Sequence, residues 1–137
     1  MFFVMSGKYL LGNMLSAFYN KNCFYNNPVK VVYSGLCRDV LKIMEENGYV
    51  NSYKIIDIDG KKSINVLLQI INGNKSINSF KLISKPGRRV YASVKDLKRK
   101  LSYNPYSLLL VSTSKGVMKI SDAIDNNVGG EILCEIF

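Results

Sequence analysis

Breaks made of glycine, proline and Asx residues cut this sequence into short segments, and that punctuation limits its fold more than any other feature. Pro28, Gly48, Asp59-Gly60, Asn72-Gly73-Asn74, Pro86-Gly87 and Gly129-Gly130 each interrupt an apolar run. Glycine and proline are the strongest local terminators of helix and strand. Between the breaks, the hydrophobic period switches between that of a helix and that of a strand. Within residues 8–20, Leu11, Met14, Leu15 and Phe18 recur at spacings of three and four, which places them on one helical face with Ser6 positioned as N-cap. A short extended piece, Val29 to Tyr33, follows Pro28. Ser34 then opens a second helix whose Leu36, Val40, Ile43 and Met44 share a face and whose stop is Gly48. Tyr53 to Ile58 and Ser63 to Ile71 read as strands joined by a hairpin at Asp59-Gly60.

The second half has the same grammar with shorter helices. A strand from Ile77 to Ile83 breaks at Pro86-Gly87 and resumes from Arg89 to Ala92. Ser93 and Asp96 have capping-box spacing ahead of a basic helix, Val94 to Leu101. Strand Leu108 to Ser112 follows, then a strand from Val117 to Ile120, a helical turn capped by Ser121, and a final strand from Glu131 to Phe137. The expected fold is α+β, built as two small α/β lobes. Residues 1–73 would form the first, with two helices covering one face of a three-stranded sheet, and residues 74–137 a second that is mainly β with short helices.

Charge narrows the partners. In 137 residues, 19 Lys and Arg face 10 Asp and Glu, a net charge of +9, and the isoelectric point is about 9.5. Such a balance is the electrostatic footprint of nucleic-acid binding, with an acidic membrane surface as the rival partner. The excess is uneven: residues 1–74 carry eight basic and five acidic groups, and residues 75–137 carry eleven and five. Between Lys75 and Lys100 there are nine basic groups and one acidic, interleaved with Phe80 and Tyr91, a mixture that suits a polyanion. The three cysteines, Cys23, Cys37 and Cys134, have no CxxC spacing, and the sequence contains no histidine. Neither a zinc site nor a disulfide framework is expected, no cofactor is implied, and the cysteines read as core residues of a reducing compartment. The apolar start, Met1 to Met5, is cut off by Gly7 and Lys8, too early for a membrane span or a secretory signal, so a protein without a membrane partner is expected.

Three constellations carry chemistry. In Leu110-Val111-Ser112-Thr113-Ser114-Lys115-Gly116-Val117 an apolar strand ends in three hydroxyls, a lysine and a glycine. Hydroxyls and backbone N–H groups bind phosphate and ribose oxygens, lysine adds a point charge, and glycine permits a tight turn; the same residues also make an ordinary polar turn. The Ser-x-x-Lys match at Ser112 to Lys115 lacks the Ser-Asp-Asn and Lys-Thr-Gly elements of penicillin-recognising enzymes. A Walker loop is missing too, and without histidine no Ser-His-Asp or Cys-His device exists. Asp57 with Asp59, and Asp122 with Asp125, lie in polar turns that give no reason for a raised pKa. Catalysis on a small-molecule substrate is therefore not expected. The second constellation, Ser84-Lys85-Pro86-Gly87-Arg88-Arg89-Val90-Tyr91, clusters Lys85, Arg88 and Arg89 on a bend, with Tyr91 either stacking on a base or buried. The third, Gly129-Gly130-Glu131, lets backbones approach closely and supplies a carboxylate that pairs with a cation, accepts from a base amino group or ribose hydroxyl, or does both.

In order, Ile83-Ser84-Lys85-Pro86-Gly87-Arg88-Arg89-Val90-Tyr91, Ser112-Thr113-Ser114-Lys115-Gly116-Val117-Met118 and Val128-Gly129-Gly130-Glu131-Ile132-Leu133-Cys134 resemble the small-subunit ribosomal protein eight family, bacterial type. The element order of the first half agrees, so the resemblance spans nearly the whole chain. It implies a structural, non-enzymatic protein of two α/β lobes whose partners are small-subunit rRNA and neighbouring ribosomal proteins. The second lobe would grip an irregular helix of the rRNA central domain and support assembly. Ser112, Thr113, Ser114 and Lys115 would contact backbone and an exposed base, Gly116 would shape their loop, and Tyr91, Arg88 and Glu131 would complete the surface. A free RNA-binding translational repressor is the alternative that the resemblance leaves open. The sequence departs from the family where its first helix reads Leu15-Ser16-Ala17-Phe18-Tyr19-Asn20 in place of an arginine-bearing stretch. It departs again at Asn104-Pro105-Tyr106-Ser107 and at Asp122-Ala123-Ile124-Asp125-Asn126-Asn127, which replace flexible or cationic surface. Fifteen lysines against four arginines suggest an AT-rich gene, and with it a ribosome in the mitochondrial matrix or in a bacterial cytoplasm.

Overall fold

The computed structural model describes residues 10–20, 28–71, 74–103 and 106–137. The chain divides into two compact units, Met1–Asn78 and Ser79–Phe137. The expected Ser6 cap, Cys23, the Asn72-Gly73 break and Asn104-Pro105 lie outside the described residues.

In the first unit, helix α1 (Leu10–Asn20) is followed by β1 (Val29–Val32), α2 (Gly35–Glu46), β2 (Val50–Ile58) and β3 (Lys61–Leu68). The face predicted for α1 is the one that packs: Leu11, Met14, Leu15 and Phe18 are all buried. Each such side chain contributes about 1.5–3 kcal/mol relative to exposure. Ser34 sits in extended backbone at the start of α2, and its Oγ accepts the Cys37 N–H at 3.1 Å. The buried stripe of α2 is Cys37, Val40, Leu41, Ile43 and Met44, so the face is turned slightly from the predicted one and leaves Leu36 partly exposed.

The sheet order is β1-β3-β2, with β3 antiparallel to both neighbours. Strands β1 and β2 therefore run parallel, linked through α2 with β3 inserted between them, which is a split βαβ unit. Val29 and Val31 of β1 and Ile64, Val66 and Leu68 of β3 alternate into the core, against which both helices pack. The single strand expected from Ser63 to Ile71 is interrupted. A register shift between Val50 and Ser52 distorts the β2–β3 ladder near its end. There the Gln69 N–H donates to the Tyr49 carbonyl at 3.3 Å, and the chain continues as a two-stranded ribbon, β4 (Ile70–Ile71) with β5 (Asn74–Lys75).

The second unit contains β6 (Phe80–Leu82), β7 (Tyr91–Ala92), α3 (Val94–Tyr103), β8 (Leu108–Thr113), β9 (Gly116–Lys119), α4 (Ile120–Asp125) and β10 (Gly130–Ile136). Its sheet runs β6-β10-β8-β9, and β7 also pairs with β10. The last strand in sequence is thus an interior one. Between Ile132 and Cys134 the pairing of β10 with β8 skips Leu133, a β-bulge. Leu97 of α3 with Ile120 and Ala123 of α4 packs on Leu109, Val111 and Ile132 to form the core. Two expectations shift here. Strand β6 starts at Phe80, with Ile77 buried outside it. Ser121 is not the cap of α4: β9 runs straight into that helix, and Lys119, already extended, is the N-cap without any side-chain bond.

The capping box of α3 forms in full. The Ser93 N–H donates to Asp96 Oδ2 at 3.2 Å and the Asp96 N–H donates to Ser93 Oγ at 3.3 Å. Those bonds hold the Asp96 carboxyl below its usual value. Cys37 and Cys134 are buried free thiols; burial raises both, and Cys134 is pushed up to about 12. Among the described residues no helix is long and apolar enough to cross a membrane.

Two outcomes are expected. Ser34→Ala should lower stability by about 1 kcal/mol, the ordinary loss for an N-cap, read as a shifted urea midpoint with unchanged slope. Because the folded pKa of Asp96 is depressed, its contribution is present above the unfolded carboxylate range and lost as pH falls through the folded value. Amide protection factors in the first turn of α3, which divide out the intrinsic pH dependence of exchange, should fall over that acid window in the wild type and stay flat in Asp96→Ala.

Candidate nucleic-acid interface

The hydroxyl-rich segment is the hairpin between β8 and β9. Thr113 pairs with Gly116 across a two-residue turn, Ser114-Lys115. Neither turn residue has positive φ, so Gly116, at φ +113°, absorbs the twist that brings the strands back together. Thr113 builds the turn from within. Its Oγ1 donates to the Gly116 carbonyl at 2.8 Å and accepts the Lys115 N–H at 3.1 Å. With that hydroxyl engaged locally, Ser114 and Lys115 form the exposed tip, and Ser112 is partly exposed at the base.

The register then brings the separate sequence motifs together. Tyr91 of β7 lies opposite Glu131 of β10, Glu131 opposite Ser112 of β8, and Ser112 opposite Val117 of β9. Residues directly opposite in an antiparallel ladder point to the same face, so these side chains form one row across four strands. Val111 and Ile132, one position along, point the other way into the core beneath α3 and α4. Tyr91 is 71% exposed, which decides between the two readings of this aromatic: its ring is open to solvent and free to stack. Arg89 Nη1 donates to Glu131 Oε2 at 3.1 Å, and the carboxylate, with 19% side-chain exposure, is clasped while still reachable.

Gly130 explains why the row is so tight. A β-carbon there would run into the Ser112 carbonyl oxygen, and one at Gly129 would lie 2.5 Å from the Ala92 carbonyl oxygen. The two glycines let β10 pass close to both neighbours where β7, β8 and β10 converge.

The basic bend is organised by a residue that sequence reasoning gave no role. Ser84 is a fully buried polar side chain whose Oγ accepts the Val90 N–H at 2.9 Å and donates to the Val90 carbonyl at 3.3 Å. Lys85 and Arg88 exchange both backbone hydrogen bonds around Pro86-Gly87, at 3.0 and 2.9 Å. The bend is therefore a pinned miniature hairpin with Lys85, Arg88 and Arg89 exposed on it. The signal in the sequence was a lone hydroxyl between an apolar strand and the break. Among the described residues no cluster of His, Cys, Asp or Glu could hold a metal ion.

A family model described as ribosomal protein S8 matches residues 10–137, nearly the whole chain and all of these motifs. The chain belongs to the ribosomal protein S8 family. It is similar to small ribosomal subunit protein uS8 of Campylobacter hominis, 40% identical over 129 residues that cover 93% of this chain and 97% of the relative. The uS8 protein of Maricaulis maris is 40% identical over 127 residues, covering 92% and 95%. That of Nautilia profundicola is 46% identical over 106 residues, covering 77% and 79%. The family is one of structural proteins of the small ribosomal subunit, not of enzymes.

Gly130→Ala should be destabilising by about 1–3 kcal/mol, the range for overpacking a site that cannot yield. Gly35→Ala, where a β-carbon would meet nothing within 4 Å, should be nearly neutral. Urea titrations of the two variants compare them directly; equal losses would show that the crossing of β10 and β8 is not crowded.

Proposed function

We propose that the row Tyr91–Glu131–Ser112, with the Ser114-Lys115 tip beside it, binds an irregular helix in the central domain of small-subunit rRNA and supports its assembly. The observation that carries this reading is the cross-strand alignment of an exposed aromatic, a clasped carboxylate and a hydroxyl, drawn from three distant sequence motifs. Each has a distinct task. Tyr91 stacks on an unpaired base. Glu131, kept oriented by Arg89, accepts from an exocyclic amino group or a ribose hydroxyl. Ser112 and Ser114 bond backbone oxygens or a base edge, and Lys115 neutralises phosphate. Thr113 and Gly116 hold the hairpin in shape, and Gly129 and Gly130 bring the strands together. Lys85 and Arg88, at the tip of the bend, add positive charge at the border of the surface.

Neighbouring ribosomal proteins are the other partners. The relatives named above are bacterial and favour a bacterial-type ribosome in the cytoplasm; they lend no support to the mitochondrial expectation drawn from lysine-rich composition.

Filter binding to a central-domain rRNA fragment at graded salt tests the proposal. Affinity should fall steeply as salt rises, because phosphate neutralisation releases counterions. Lys115→Ala should weaken matched and mismatched RNA alike. Ser114→Ala leaves charge untouched and should cost mainly discrimination, about 1–3 kcal/mol where a base edge is read. Equal retention of any duplex of the same length would overturn the specific role.

A further inference from the structure

The second unit has a second chemical surface, on the other side of its sheet. On β8, Ser112 belongs to the row described above, whereas Leu109, three positions away, points to the helix-covered side. Glu135 of β10 lies opposite Leu109, and Lys81 of β6 lies opposite Glu135. These residues open a cavity of about 510 Å³ that α3 and α4 leave uncovered. Its floor is aliphatic: Ile83, Val90, Leu101, Leu109 and Ile120. Its rim carries Lys81, Lys85, Arg88 and Lys100.

We infer that this cleft is a docking site for an acidic protein segment that inserts an aliphatic side chain. Charge complementarity is the first argument. None of the four rim cations takes part in an ion pair among the described residues, and the one acid in the wall, Glu135, accepts a 2.6 Å bond from the Ser107 hydroxyl. The floor supplies the second argument. An RNA base is gripped between flat aromatic or guanidinium surfaces and read by convergent polar groups. Here the floor is made of branched aliphatics, Arg88 and Tyr103 stand at the rim and not on the floor, and the nearby hydroxyl is already committed to Glu135. A leucine-sized anchor flanked by carboxylates matches both features, and the volume is within the range of small ligand pockets. Three of the four rim cations are lysines, whose mobile point charges follow carboxylates on a flexible chain without demanding a planar fork.

The cleft opens on the other side of the sheet from the proposed rRNA row, since Glu135 and Leu109 face away from Glu131 and Ser112, and it shares the border cations Lys85 and Arg88 with that surface. Occupation of the cleft by a protein leaves the Tyr91 face open to RNA. The second unit would then join an RNA helix on one side of a single sheet to a neighbouring protein on the other.

Photo-crosslinking in reconstituted small subunits tests this on the full chain. Tyr103 stands at the rim, 84% exposed, so p-benzoylphenylalanine there should leave the core undisturbed. On irradiation, the probe at position 103 should crosslink to protein, and the crosslinked peptide should be rich in Asp and Glu around an aliphatic residue. The same probe at Tyr91 should crosslink to rRNA. A synthetic copy of the captured peptide should bind the isolated full chain, and Lys81→Gln with Lys100→Gln should weaken that binding at least tenfold while rRNA retention changes less than twofold. A crosslink from position 103 to rRNA, or none above an irradiated wild-type control, overturns the inference. Failure at position 91 alone would count against the rRNA surface and leave the cleft standing.

Discussion

The second unit depends on how closely β10 can pass its neighbours. Gly130 lies against the Ser112 carbonyl, and from that point β10 is hydrogen-bonded on one side to β7 and β6 and on the other to β8. An interior strand that arrives last in sequence has to fit a slot whose width is set by strands already in place, and at its entrance only hydrogen fits. The proposed rRNA row and the cleft behind it both hang from this passage. It aligns Tyr91 with Ser112 through Glu131, and it seats Ile132 under the helices so that the opposite face has a core to rest on.

Polar groups at the site are held by short local devices. Ser84 pins the basic bend, Thr113 closes the hairpin turn, Arg89 clasps Glu131, and the Ser93–Asp96 pair starts α3. No buried side-chain nitrogen or oxygen among the described residues lacks a partner. In a surface that presents charge to charge, such bonds matter because a flexible contact loses conformational entropy on binding and a pre-oriented one has already lost it. The buried thiols add nothing to this chemistry, since burial holds both in the protonated form.

Much of this was legible in the residues. Period and punctuation placed α1, α2 and the β2–β3 hairpin, because an amphipathic stripe and a two-residue turn are local instructions. The capping box at Ser93 and Asp96 was equally local, and the hydroxyl hairpin, the basic bend and the glycine pair were visible as separate motifs. Their alignment was not. Which residue faces which across a sheet depends on register, and register is decided by long-range pairing, so the row Tyr91–Glu131–Ser112 emerges only from the folded chain. The same limit hid the role of Ser84, whose partner Val90 lies across the bend, and the engagement of Thr113. Ser121 failed as a cap because its hydroxyl pattern was right while the preceding strand had already turned the chain. The break after Leu68 was hidden because the shifted register that accompanies it sits on the partner strand.

The bulge at Leu133 acts on β10 as a frameshift acts on a message. In unbroken alternation Glu131 and Glu135, four positions apart, would project from the same side of the sheet. The one residue between them that the β8 pairing skips advances the phase, so a single strand is read in one frame before Leu133 and in another after it. One carboxylate thereby enters the row with Tyr91 and Ser112, and the other enters the cleft with Lys81. Deleting that residue would leave the charge intact and yet turn Glu135 into the side occupied by buried Leu108 and Leu110, while Cys134 and Ile136 left it. The two-sidedness of the unit is thus a matter of counting as much as of chemistry.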